Sequence, residues 1–317
     1  MLRILRWFQA LCLAACAGLL GANAPAIAGD PLIALGKKLF FDARLSGSGN
    51  TACATCHDPY FSYTQPGKVA ISDNGQIGRR NALSLLDVRT LPRLMWDGRF
   101  PSLEHQVFGP FTTGEMGTSI QEAVRRLNWN PEYRHLFYQA FGEPPTPEGL
   151  ARAIASFERT IVSPESRVDR FLVSGDPKAL SPLERHGFDV FTRRAPCSKC
   201  HQLFPEEGNP SGNGRPLFTD FRFHNIGIKP QMFHDLGRFE QTANSIDWGA
   251  FRTPALRNAV RTPPYMHNGS LATLEEVVEF YNAGGGATLN VSPLIRPLHL
   301  HQDEKAALVA FLKAMAN

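Results

Sequence analysis

Apolar residues recur at helical spacing in five stretches, and convincing strand pairs are hard to find, so the chain reads as mainly α. Residues 33–41 carry the first stretch. Thr146-Pro147-Glu148 opens the second with proline at its first helical position, and Leu150, Ile154, Phe157 and Ile161 fall on one face. Ser181-Pro182-Leu183-Glu184 is a capping box opening the third, and Thr273-Leu274-Glu275-Glu276 opens a fourth that should stop at Gly284. A last amphipathic helix is predicted over 303–315. The Gly- and Pro-rich connections at 64–81 and 205–250 are longer than idle loops, which predicts that they wrap a bound group. Ser174-Gly175-Asp176-Pro177 marks a boundary between two domains, 29–175 and 176–317, each large enough for its own core.

The first residues follow another pattern. Arg3 and Arg6 precede an apolar run over 7–20, and Ala26-Ile27-Ala28 is a small-x-small cleavage site, so residues 1–28 read as an export signal and the protein as periplasmic. Leu13-Ala14-Ala15-Cys16 offers a lipid-anchored alternative through Cys16, weakened by the apolar segment that continues past it. No later stretch is apolar for long enough to span a bilayer. Losing Arg3 and Arg6 lowers the formal charge from +4 to +2, no basic footprint for nucleic acid.

Export would also remove Cys12 and leave four cysteines, arranged as Cys53-Ala54-Thr55-Cys56-His57 and Cys197-Ser198-Lys199-Cys200-His201. Two thiols spaced by two residues can each form a thioether to one vinyl group of a porphyrin, while the adjacent imidazole ligates its iron. One such run could be a zinc knuckle or a redox dithiol. Two runs behind an export signal favour two covalent c-type haems, and no thiol is left for a structural disulfide.

The two centres differ in what could close the far side of the iron. From Asp58 through Leu94 there is no His, Met or Cys. Lys68, Tyr60 or Tyr63 could coordinate the first iron, or a ligand could arrive from His105, Met95 or Met116. The second has Met232, Met266, His267, Tyr281, His299 and His301 to choose from. Leu274, Val277, Val278 and Tyr281 share a stripe, which buries the Tyr281 phenol; on periodicity alone, a hydrogen bond to a backbone carbonyl accounts for it better than iron does.

Ordered motifs then add a resemblance. Phe221-Arg222-Phe223-His224-Asn225-Ile226-Gly227, residues 251–258 (Phe-Arg-Thr-Pro-Ala-Leu-Arg-Asn) and Pro264-Tyr265-Met266-His267-Asn268-Gly269 resemble the bacterial di-haem cytochrome c peroxidase and MauG family. Trp96-Asp97-Gly98-Arg99 and Gly109-Pro110 with Glu115-Met116 match it in the other half. The resemblance spans nearly the whole exported chain and implies two cytochrome c-like domains, each with one covalent haem c. It implies a peroxide-reacting haem on the N-terminal side and a six-coordinate electron-transfer haem on the C-terminal side. The far-side position of the second haem, Met in ordinary peroxidases and Tyr in MauG, falls on Tyr281. The loop over 70–81 lacks the histidine that caps the first iron in ordinary members, so that haem is expected to be open without prior reduction.

The same resemblance assigns Glu115 as distal acid/base, Gln106 as distal amide donor and Trp96 as the aromatic residue between the haems. It places a calcium ion at Asn81 and the backbone carbonyls of Thr262 and Pro264, an oxygen-only set that suits calcium. It implies hydrogen peroxide as oxidant, oxidising equivalents shared between the haems, and either a small electron-donor protein (a cytochrome c or cupredoxin) or a protein substrate as partner. MauG uses a surface tryptophan just before its second signature. Here Arg193-Arg194-Ala195-Pro196 stands there, so the same substrate is not implied. The competing readings are an ordinary detoxifying cytochrome c peroxidase and a di-haem electron carrier with both irons closed.

Overall fold

The computed structural model describes residues 30–204, 214–229 and 235–317; the segment read as an export signal, with Cys12 and Cys16, lies outside them, as does Met232. In chain order the helices are α1 (Pro31–Phe40), α2 (Cys53–Cys56), α3 (Leu103–Val107), α4 (Gly109–Thr112), α5 (Ile120–Trp129), α6 (Pro131–Phe141), α7 (Pro147–Glu158), α8 (Arg167–Leu172), α9 (Pro182–Asp189), α10 (Phe239–Thr242), α11 (Leu274–Asn282) and α12 (Gln302–Ala314). Among the described residues the strands are β1 (Phe223–His224) and β2 (Phe251–Arg252), one antiparallel pair.

Helices start where a short polar side chain can take an orphan N–H. Thr146 accepts from the Gly149 N–H at α7, and Ser181 and Glu184 form a complete capping box at α9. At α11 Thr273 accepts from Glu276, but the Glu276 carboxylate reaches back to the Ala272 N–H, so the box expected there is half formed. Past α11 the chain turns off at Gly284, in the left-handed region at φ 92°.

Two apolar cores form. One gathers Leu35, Leu39, Phe40, Phe137, Ile154 and Phe157; the other gathers Val168, Val190, Phe191, Val278, Phe311 and Leu312. Each rests on the same helix crossing. A Cβ on Gly36 of α1 would stand 1.8 Å from the Ala153 carbonyl oxygen of α7, and one on Gly187 of α9 would stand 2.0 Å from that of Ala307 in α12. Only glycine lets the backbones approach so closely. Four residues on, Phe40 and Phe157 in one half, and Phe191 and Phe311 in the other, pack as tilted rings at centroid distances of 5.2 and 5.3 Å.

The halves repeat further. Leu94-Met95-Trp96-Asp97-Gly98 and Tyr265-Met266-His267-Asn268-Gly269 adopt one conformation, with φ near 70° at Met95 and Met266 (69° and 71°) and at the glycines (68° and 62°). Isolated bridges Leu94 to Phe100 and Tyr265 to Leu271 follow, and then Ser102 and Thr273 cap α3 and α11.

Buried ion pairs close the seam. Arg80 reaches Asp97 and Asp235 at 2.7 Å each, and Arg257 grips Asp169 at 2.6 Å while its Nε lies 3.6 Å from Asp87. The connection at 64–81 packs against both halves: Asp73 accepts from the Ser48 N–H, and Asn81 donates its backbone N–H to the His267 carbonyl.

Candidate haem centres

The two signature histidines are held alike. His57 Nδ1 lies 3.0 Å from the Tyr63 carbonyl oxygen and His201 Nδ1 lies 2.9 Å from that of Phe218. A carbonyl only accepts, so each Nδ1 carries the hydrogen and each Nε2 keeps its lone pair for a metal. Burial lowers both imidazole pKa values, which keeps them neutral and ligand-ready. The thiols of Cys53, Cys56, Cys197 and Cys200 are free, and burial pushes Cys53 and Cys197 up to about 12. They form no disulfide, which leaves all four free for attachment.

Near the first signature, Glu115 is half-buried and accepts from the Thr113 hydroxyl; besides burial, its charge is what raises the Cys56 thiol. Gln106 Nε2 points at the Met95 sulfur, 3.9 Å away. The other far-side candidates are placed elsewhere. Tyr60 is 85% exposed, Lys68 is exposed, and the exposed His105 bonds Ser102 at 2.8 Å. Met116 belongs to the first core, and Tyr63 packs against it.

Around the second signature lies a cavity of about 450 Å³, lined by Cys197, Cys200 and His201 together with Met266, His267 and Tyr281. His299 and His301 are exposed and do not line it. The stripe on α11 divides: Val278 goes to the core while Val277 and Tyr281 face the cavity. Tyr281 is half-buried and lines this space. Burial, then the nearby Cys200 and Cys197, raise its pKa, and its hydroxyl bonds no group among the described residues, so the carbonyl partner expected from periodicity is absent. His267 stacks on Phe251 at 3.6 Å between centroids, and burial lowers it to about 4.

Trp96 comes from the first half of the chain and reaches this cavity. Its Nε1 donates to the Asn81 carbonyl oxygen at 2.8 Å, its ring meets that of His267 edge-on at 6.4 Å, and it lines the cavity. Asn81, Thr262 and Pro264 share the cavity wall. Asn81 spends its amide nitrogen on the carbonyls of Gly67 and Lys68, at 3.1 and 3.2 Å, which turns its amide oxygen the other way and fits it to a hard cation.

A haem carries two propionates, so its pocket needs a cation. Arg252 is 4% exposed, lines the cavity and has no carboxylate partner among the described residues; its nearest acceptors are backbone carbonyls of Met95 and Thr253 at 3.4 and 3.5 Å. Such a buried, unpaired guanidinium fits an anionic group of the cofactor. Beside Cys200, His224 Nε2 meets Asp220 at 2.8 Å, which raises the imidazole to about 10. Both residues lie inside motifs that carry the family resemblance, but neither is singled out by them: the burial of Arg252 is set by distant neighbours, whereas the His224 partner stands only four residues back and is open to reading from sequence.

Solved proteins with this fold define its class. A MauG-like protein associated with microbial copper homeostasis superposes with a TM-score of 0.79 at 32% identity, covering 91% of this chain and 90% of that one. The diheme peroxidase BthA from Burkholderia thailandensis gives 0.77 at 26% identity, covering 90% and 86%. This is the helical fold of di-haem peroxidases.

The sequence model of the family described as di-haem cytochrome c peroxidase matches residues 30–178. Cytochrome-c peroxidase IdrP1 of Denitromonas iodatirespirans is 36% identical, over 90% of this chain and 81% of its own length. Methylamine utilization protein MauG of Methylorubrum extorquens is also 36% identical, over 89% and 77%. The chain belongs to the di-haem cytochrome c peroxidase family: it is an oxidoreductase, and the family implies two haem groups and hydrogen peroxide as oxidant.

Proposed function

We propose that the protein is a periplasmic, MauG-like di-haem peroxidase with an open first haem and a second haem closed by Tyr281. One observation carries this. In the internal repeat, Tyr281 stands seven residues beyond Leu274, and the residue seven beyond Leu103 is Pro110. Proline has no donor atom in its side chain. At this position the repeat thus carries a phenol in one half and a side chain that cannot ligate in the other.

Haem iron would supply the redox centre at which peroxide is split. His57 and His201 would hold the two irons through Nε2, and Cys53, Cys56, Cys197 and Cys200 would anchor the porphyrins. Glu115 would move the proton from the near to the far oxygen of peroxide, and Gln106 would donate a hydrogen bond that orients it, together the general acid–base and polar stabilisation that heterolysis needs. Trp96 would pass electrons between the halves. Asn81 with the carbonyls of Thr262 and Pro264 would hold a calcium ion that fixes the Asn81 backbone, and with it the Trp96 indole. Arg193-Arg194-Ala195-Pro196 before the second signature favours reduction by a soluble donor protein over oxidation of a substrate through a surface tryptophan.

The test is the EPR spectrum of the ferric holoprotein as isolated. One high-spin and one low-spin signal are expected, the low-spin one altered in Tyr281→Phe. Two low-spin signals before any reduction would refute the open first site. Glu115→Gln should lower kcat/KM for peroxide by about 10²-fold or more, with the spectrum unchanged.

A further inference from the structure

Two of the segments that frame the second haem cavity are one-sided in charge. Residues 190–204 carry Arg193, Arg194 and Lys199, residues 280–302 carry Arg296, and neither segment contains an aspartate or glutamate. Lys199 and Arg296 both line the cavity and are exposed, with Leu294, 48% exposed, beside them. Arg194 ties the two segments into one surface by donating to the carbonyls of Leu298 and His299, at 3.0 and 2.9 Å. Carboxylates from flanking helices meet only two of the four cations: Asp189 lies 3.5 Å from Arg193 and Glu304 lies 3.3 Å from Arg194. Lys199 and Arg296 have no ion pair among the described residues.

We infer that this cationic rim, with Leu294 as its apolar contact, is the docking surface for a small soluble redox protein whose own electron-transfer edge is ringed by acidic residues. The inference rests on the peroxidase reading and names its partner. Lys199 sits inside the second attachment signature, between Cys197 and Cys200, and is exposed, so a protein seated there would lie over the attachment site itself. Complementary charge steers such encounters, raising association rates by about 10- to 10³-fold at low salt while adding little to the affinity of the final complex. An anionic membrane could also be drawn to four cations. The position of the charges around a redox centre, on a surface broken by Leu294 and flanked by Pro293 and Pro297, favours a protein.

The experiment uses the holoprotein with hydrogen peroxide and two reduced donors of opposite surface charge, an acidic plastocyanin and a basic mitochondrial cytochrome c, over about 10 to 300 mM salt, across which screening sets in. With the acidic donor the second-order rate should fall about tenfold or more as salt rises; with the basic donor it should stay flat or rise. Lys199→Glu with Arg296→Glu should invert the preference, slowing the acidic donor and speeding the basic one. A merely structural fault would slow both, and that result overturns the docking site. So does an equal salt response for the two donors, or binding to phosphatidylglycerol vesicles that the double variant abolishes while donor rates stay unchanged. Turnover with hydroquinone separates the two levels: if it is absent, the peroxidase reading falls and the docking site with it; if it is present and salt does not discriminate the donors, only the docking site falls.

Discussion

Gly187→Ala is the sharpest perturbation the fold offers. The new methyl carbon would stand 2.0 Å from the Ala307 oxygen, 2.6 Å from its carbonyl carbon and 2.7 Å from Phe311 Cβ. Two of these three atoms are helix backbone and cannot rotate away. To restore an ordinary contact of about 3.4 Å, α9 and α12 must part by more than an ångström, and a gap of that size forfeits a quarter to a half of each dispersion contact along the crossing. Phe191 and Phe311 pack there. Overpacking costs about 1–3 kcal/mol where neighbours can yield. Here they cannot, so about 3 kcal/mol or more is expected, a fall in Tm on the order of 10 °C for a domain of this size. The assay is thermal unfolding of the holoprotein followed by far-UV circular dichroism and by the Soret bands of the two haems. Because the cores are separate, Gly187→Ala should loosen the second haem first and Gly36→Ala the first. Gly67→Ala is the control, since its nearest atom is 3.5 Å away and its φ is unstrained. A Gly187→Ala protein melting within about 2 °C of its parent would refute the packing argument.

Two further predictions follow from buried charge. Arg257 is hydrogen-bonded to Asp169, Ser163 and the carbonyls of Pro164 and Pro216, so Arg257→Met leaves buried carboxylates uncompensated; urea melts should show a loss of about 3–5 kcal/mol, partly recovered when Asp87→Asn and Asp169→Asn are added. Glu158 is buried in α7 with Oε2 unpartnered, and burial pushes it up to about 8. Because the folded state then holds its proton more tightly than the unfolded chain, whose carboxyl titrates near 4.3, stability is lost as pH rises from about 4.5 to 8. Glu158→Gln should match the parent near pH 4 and exceed it by roughly 2 kcal/mol or more at pH 8 in denaturant melts; parallel pH profiles would contradict this.

Much of the site was legible in sequence because its chemistry is local. A thiol pair two residues apart with an adjacent imidazole is a short-range covalent pattern, and Cys53 to His57 and Cys197 to His201 need no tertiary partner to be recognised. Helix starts at Thr146 and Ser181 are equally local, since the cap and the N–H that it accepts lie within four residues. The α11 stripe told that Tyr281 is buried, though not what it faces.

Only the folded chain could sort the second centre's candidates, because cavity membership depends on groups far apart in sequence: His201, Met266 and Tyr281 meet there, while His299 and His301 turn outward. The same holds for Arg252, which counts as unpaired only once every neighbour is known, and for Pro110, whose kinship to Tyr281 emerges from matching backbone conformations in the two halves. Spacing along the chain governs what bonds within a turn. Burial, charge pairing and the contents of a cavity are sums over neighbours brought together by packing, and these the tertiary structure alone decides.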